Sequence, residues 1–433
     1  RPARKLLQSK RKHARQGTAG TGFFKMTARD LAPQNSKQHF SMRLNSGQVS
    51  LAPKSLARKF AEIFRSEPAI FRAPGRVNLI GEHTDYNDGF VMPAAIGFST
   101  FVAAAQRSDG RLVVRSENFP GEFVFHVNHL PQGRQREWCD YVLGVAVTLQ
   151  RTGHSVPAAS LLVCGEVPMG SGLSSSAAVE VATALALVSL SGANLPFTEI
   201  AKLCQKSENE FVGARVGIMD QYVSCLGRAG HALFLDCRSL EFQLVPVPSS
   251  LKFVICNTMV KHELASNGYN QRREECEQGA KMFAKWDPHV RALRDVSAEL
   301  LERHARELPE AIRKRCLHVV QENQRVLDAV RCLQTGDLIR LGELMRASHN
   351  SLRDLFEVSC RELDIMVEAA EGLPGYCGGR MTGGGFGGCT VNLVRDDEAE
   401  NFAAQISERY RHTTGIEPQT YICNAENGAQ ALG

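Results

Sequence analysis

The stretch Pro168-Met-Gly-Ser-Gly-Leu-Ser-Ser-Ser-Ala-Ala178 constrains this chain more than any other. It follows an apolar, strand-like run, Ala159 to Cys164, and opens into an Ala-rich helix from Ser175. Strand, glycine–serine turn and helix N-terminus in that order make an anion cradle. Gly170 and Gly172 let the backbone approach a phosphate, the serines supply hydroxyl donors, and the first helical turn offers free N–H groups and a partial positive charge. Small residues Ala177, Ala178 and Ala182 let the helix lie close to its neighbours. The turn has no Gly-Lys-Ser/Thr, hence no Walker lysine, and Ser175 stands where a dinucleotide fingerprint has its third glycine. A P-loop nucleotidase and a Rossmann enzyme both lose ground. A flexible turn with a good N-cap is the bland alternative.

Four further segments carry chemistry. In Arg72-Ala-Pro-Gly-Arg-Val-Asn-Leu-Ile-Gly-Glu-His-Thr-Asp-Tyr86, the groups Glu82, His83 and Asp85 fall within four residues. So close in sequence, they cannot easily all face one ion, whereas acceptors at mixed angles suit a polyhydroxylated ligand; a solvated surface turn is the competing reading. In Gly217-Ile-Met-Asp-Gln221, Asp220 stands among apolar residues and is either buried with a partner or functional. On the preceding helix Ile200, Cys204, Glu208 and Phe211 share one face, so Glu208 points inward. A carboxylate there needs a cation or a dense hydrogen-bond set, and Mg²⁺ is one solution; spacing alone leaves an ordinary ion pair equally open. Finally, Met381-Thr-Gly-Gly-Gly-Phe-Gly-Gly-Cys-Thr390 is backbone that must approach something closely or move.

The formal net charge of +5 would suggest a nucleic-acid partner. It arises in residues 1–41, with ten Lys/Arg against one acid, Asp30, which leaves the remainder mildly acidic. We expect 1–41 to be a disordered basic extension and no nucleic acid to bind. Ala177 to Leu190, the longest apolar region, is broken by Glu180 and too short to cross a bilayer. Thirteen Cys without a C-x-x-C pair read as reduced core residues, which places the protein in the cytoplasm. Ser55 to Phe64 and Tyr141 to Gln150 predict helices, and Val91 to Ala105, Leu112 to Ser116 and Glu122 to Val127 predict strands. Thr198 to Gly213 predicts one helix, Ala232 to Asp236 and Phe253 to Asn257 strands, then mostly helix to Ala370 and a strand at Thr390 to Val394. Strands cluster early instead of alternating with helices, so the class is α+β, with domains expected at 42–250 and 251–433.

Together these segments resemble the galactokinase branch of the GHMP small-molecule kinases. Arg76 to Tyr86 is similar to the galactokinase signature, Val167 to Ala177 to the ATP motif of the family, and Thr382 to Gly388 to its third motif. The resemblance implies a two-domain fold with the active site in the cleft between domains. The implied reaction is transfer of the ATP γ-phosphoryl group to the anomeric hydroxyl of α-D-galactose, with Mg²⁺ present. On this resemblance Asp220 is the catalytic base and Arg76 its partner. Glu82, His83, Asp85, Gly217 and Tyr269 bind the sugar; Gly170, Ser171, Gly172, Ser174, Ser175, Ser176 and Trp138 bind the nucleotide; Ser176 and Glu208 hold the metal. Ser171 departs from the glycine frequent at its position. Two alternatives are a non-catalytic sensor of galactose and ATP, disfavoured by the intact Ser176-Ala177, Arg76 and Asp220, and a kinase of a related sugar such as N-acetylgalactosamine or arabinose. A monomer is expected.

Overall fold

A computed structural model describes residues 52–261 and 265–432; the expected basic extension 1–41 lies outside the described residues. Helices and strands mix as an α+β fold, with three sheets among the described residues. The largest has six strands in the spatial order Gln430–Leu432, Ala69–Asn78, Pro93–Gln106, Ala159–Gly165, Arg111–Ser116 and Glu122–His126. Its pairs are antiparallel except Arg111–Ser116 beside Ala159–Gly165. A four-stranded antiparallel sheet runs Tyr376–Thr382, Gly387–Arg395, Leu251–Lys261, Gln419–Cys423. Phe90–Val91, His231–Asp236 and Phe242–Pro246 form the third. Leu251 thus opens a new sheet, yet the chain does not stay there, because Gln430–Leu432 returns to the edge of the first, against Ile70 to Arg72.

The helix Ser175–Leu190 explains why the glycine–serine turn is held where it is. Its sequence is apolar nearly all round, the signature of a buried helix, and Ala177, Ala178, Ala182, Ala184 and Ala186 are fully buried. These small side chains bring it close to the six-stranded sheet in one core with Asp140–Arg151, Phe197–Ser207 and Met219–Leu226. A second core joins Val77, Leu79 and Ile80 to Phe253, Ile255, Val391 and Leu393 of the four-stranded sheet. Val167 and Leu173, on either side of the glycine–serine turn, lie in the same core, so apolar contact runs directly between that turn and the strand Gly387–Arg395 after the second glycine-rich segment.

The expected single helix at Thr198 to Gly213 is corrected. The α-helix ends at Ser207, and Glu208–Val212 widens into a π-turn closed by Gly213 at φ 85°. The cause is a reach across the following bend: Asn209 exchanges two hydrogen bonds with the backbone of Val216 (2.8 and 3.2 Å), and the N–H groups of Gly213 and Ala214 both converge on the carbonyl of Glu208. Such turns interrupt α-helices frequently at functional sites.

Candidate active site

The strand Ala69–Asn78 slips register between Pro74 and Arg76, and the slip delivers the Arg76 side chain to the glycine–serine turn. Arg76 N–H donates to the Leu173 carbonyl at 3.0 Å. A Cβ on Gly75 would lie 2.6 Å from that same oxygen, so only glycine permits the approach. The guanidinium then grips Asp220 with two bonds, Nε to Oδ1 at 2.9 Å and Nη2 to Oδ2 at 3.1 Å. Its Nη1 donates to the Gly172 carbonyl, and the Ser174 hydroxyl donates to Asp220 Oδ2. Arg76 is buried, whereas the Asp220 side chain keeps 25% of its surface open. A planar fork on a carboxylate fixes its orientation as well as its charge.

The second segment folds back on itself. Gly81 (φ 100°), His83 (φ 63°) and Asp88 (φ 57°) adopt left-handed backbone, stabilised by Thr84 Oγ1 donating to the Gly81 carbonyl and by Asn87 donating to that of His83. Glu82, His83 and Asp85 thereby line one cavity of about 250 Å³, shared with Arg76, Asp220, Gly217, Tyr269, Gly383 and Gly384. Burial, and then repulsion by Asp220, raises the Asp85 carboxyl to about 7. A Cβ on Gly217 would sit 1.9 Å from Asp85 Oδ2, which explains the glycine. Burial pushes the His83 imidazole down to about 3, so it is neutral. Its Nδ1 pairs with the Tyr86 hydroxyl at 2.8 Å, its ring lies between Phe356 and Tyr269, and its Nε2 has no partner. Glu82 Oε1 accepts from Gly383 N–H at 2.7 Å and lies 3.6 Å from the fully buried Arg380. Burial raises the Glu82 carboxyl, against the pull of Arg380.

The two glycine-rich segments meet backbone to backbone. A Cβ on Gly383 would stand 2.9 Å from the Gly172 carbonyl oxygen, and one on Gly388 equally close to that of Ser171. Gly170 (φ 68°), Gly172 (φ 80°) and Ser174 (φ 61°) shape the turn. On its far side a cavity of about 330 Å³ is lined by Trp138, Phe119, Tyr141, Met169, Val179, Ser175 and Ser176. The last two residues line both cavities. Trp138 stacks on Phe119 (centroids 5.8 Å apart, planes 13°), and its Nε1–H is buried without a partner. The Ser171 hydroxyl does not face either cavity; it turns back to the Pro168 carbonyl at 2.6 Å.

Glu208 lies behind Ser176, buried as its helical face predicted, and is hydrogen-bonded to Ser176 and to Gln221, the latter at 2.6 Å. Burial, then Asp220, raises its carboxyl to about 7. A hydroxyl and a carboxylate are hard oxygen donors, and Mg²⁺ takes one or two such ligands and completes its shell with phosphate and water. The pair fits that ion. No cluster of three or more His, Cys, Asp or Glu able to cage a metal occurs among the described residues. Three buried polar residues of the site escaped sequence reasoning: Arg380, Glu180 and Gln221. The one available signal was Glu180, a lone acid on an apolar helix.

Known proteins resemble this chain over most of its length. The galactokinase galactose-binding signature matches residues 58–106, the GHMP kinase N-terminal domain 140–228 and the GHMP kinase C-terminal domain 329–412. The chain is 44% identical to the galactokinase of Roseiflexus sp. over 86% of this chain and 95% of the relative. It is 46% identical to that of Mannheimia succiniciproducens over 87% and 99%. Lactococcus lactis galactokinase complexed with galactose superposes with a TM-score of 0.84 at 36% identity, covering 88% of this chain and all of that one. A mevalonate kinase, 17% identical with a TM-score of 0.59, shares the fold.

Proposed function

The chain belongs to the galactokinase family of GHMP kinases, and from that premise we propose how its residues phosphorylate galactose. The enzyme is an ATP-dependent galactokinase: the γ-phosphoryl group passes to the anomeric C1 hydroxyl of α-D-galactose, giving galactose 1-phosphate and ADP. The observation that carries the site assignment is the two-bond Arg76–Asp220 pair, standing between the sugar-signature residues and the glycine–serine turn.

Asp220 takes the proton of the C1 hydroxyl as its oxygen bonds to the γ-phosphorus and the bond to the ADP oxygen breaks. Arg76 orients the Asp220 carboxylate through its two-bond fork, and its charge offsets that on the phosphoryl group in transfer. Glu82, His83, Asp85, Gly217 and Tyr269 bind the sugar. With Nδ1 committed to Tyr86, His83 offers Nε2 to a ring hydroxyl. The turn Gly170 to Ser176 wraps the phosphates, Ser171 contributing backbone since its hydroxyl is engaged, and Trp138 flanks the base. Ser176 and Glu208 would hold Mg²⁺, and the ion would supply positive charge against the phosphates. The described residues up to 250 with the returning strand Gln430–Leu432, and the described residues of 251–429, act as two lobes about this cleft. A monomer in the cytoplasm completes the reading; thirteen free cysteines support a reducing compartment, and among the described residues no helix is long and apolar enough to cross a membrane.

The test is ADP release with galactose, N-acetylgalactosamine and arabinose, with the phosphorylated carbon located by NMR. Galactose phosphorylated at C1 is expected. Turnover confined to another sugar, or binding of galactose and ATP without ADP release, overturns the reading.

A further inference from the structure

The buried helix Ser175–Leu190 contains a single acid, Glu180, with no solvent exposure. Its Oε2 lies 3.4 Å from Nε2 of Gln221, itself fully buried, and the same amide donates at 2.6 Å to Oε2 of Glu208. One NH₂ group thus bridges two carboxyl groups with its two hydrogens. Nothing holds the other end of the amide: Gln221 Oε1, Glu180 Oε1, Thr183 Oγ1 and Ser207 Oγ are all buried without hydrogen bonds. Apolar side chains would fill this space without orphaned polar atoms, which are unfavourable in a core. What the arrangement does achieve is directional. Glu180 and Glu208 also hydrogen-bond each other, which requires a proton on one of the two carboxyls; the amide N–H groups donate to both carboxyls and occupy one oxygen of Glu208. Glu208 is also hydrogen-bonded to Ser176 at the start of the helix that follows the turn. Gln221 also follows Asp220 directly, on the first turn of Met219–Leu226.

We propose that Gln221 and Glu180 are positioning residues for the metal-binding carboxylate: Gln221 sets the rotamer and the free oxygen of Glu208, and Glu180 sets Gln221. The inference rests on Glu208 being the metal ligand, and the experiment separates the two. Mn²⁺ binding to the full chain with ADP is titrated by the EPR signal of free Mn²⁺, alongside calorimetric galactose binding. Gln221→Met is expected to weaken Mn²⁺ binding about tenfold to a hundredfold, the usual effect of losing a partner behind a metal ligand, with galactose affinity within about twofold. Glu180→Leu should weaken it likewise, and Glu180→Gln, which keeps an acceptor for the amide, should restore it. If Gln221→Met does not fold, Gln221→Asn, one carbon too short to reach both carboxyls, must show the same weakening. Wild-type Mn²⁺ affinity in a folded Gln221 variant, while Glu208→Ala loses the ion, overturns the inference and leaves the metal assignment standing. Wild-type affinity in Glu208→Ala overturns both.

Discussion

The two cavities on either side of the glycine–serine turn are built on opposite plans. The one holding Asp220 draws on both large sheets and on Tyr269 of the helix Ala265–Phe283, and its polar groups are braced: Arg76 on Asp220, Gly383 on Glu82, Tyr86 on His83. The one holding Trp138 is assembled within residues 100–179, with aromatic and aliphatic walls. The first suits a step in which charge moves, because fixed dipoles need no reorganisation at the moment of reaction. The second suits a flat base that is only held. The contrast teaches that chemistry is placed where distant segments of chain converge, and adhesion where a contiguous stretch suffices.

The largest effect should come from the braced side. Asp220→Ala is expected to lower kcat by about 10² to 10⁴, the range for a positioned base, while calorimetry still detects galactose. A kcat within a few-fold of wild type would erase the distinction between the cavities. On the other side, Trp138→Ala should raise the KM for ATP about tenfold, since stacking a base on an aromatic ring contributes about 1–3 kcal/mol, with kcat little changed. Were kcat to fall and KM to hold, the apolar cavity would belong to the chemistry after all.

The smallest effect is a stability difference that tests how deeply Glu208 is committed to the braced side. Its carboxyl is raised from 4.5 to about 7 by burial. Between those values the native state holds a proton that the unfolded chain has released, so ionising Glu208 destabilises the free protein as pH rises through the window. Glu208→Gln removes that dependence. Its Tm relative to wild type should climb by a few degrees between about pH 5 and pH 8. The difference cancels the opposing contribution of His83 and His318, buried imidazoles pushed down to about 3 and about 4. A flat difference would place Glu208 in a solvated setting.

How much of this was legible in the sequence depends on range. Local signals were enough for the glycine–serine turn, the early strands and the inward face of Glu208, since strand–turn–helix order and i, i+4 spacing are properties of short windows. The π-turn at Glu208 was not, because it is set by Asn209 reaching Val216 across a bend. Arg380 was invisible for a stronger reason: its bond to the Asn78 carbonyl and its proximity to Glu82 join residues about three hundred positions apart. Gln221 and Glu180 likewise meet only through folding. Periodicity reports which way a side chain points, never whom it meets.

The contact between Gly172 and Gly383 has a genetic consequence. Its closeness consists of main chain alone, with no side-chain atom to trim or reshape in compensation. Both positions also hold left-handed backbone. Every missense change at either codon inserts at least a methyl carbon into the seam, so tolerance there should be set by the mere presence of a substituent, with alanine nearly as damaging as valine. Variants collected at these two sites should therefore cluster as loss-of-function alleles regardless of chemical class.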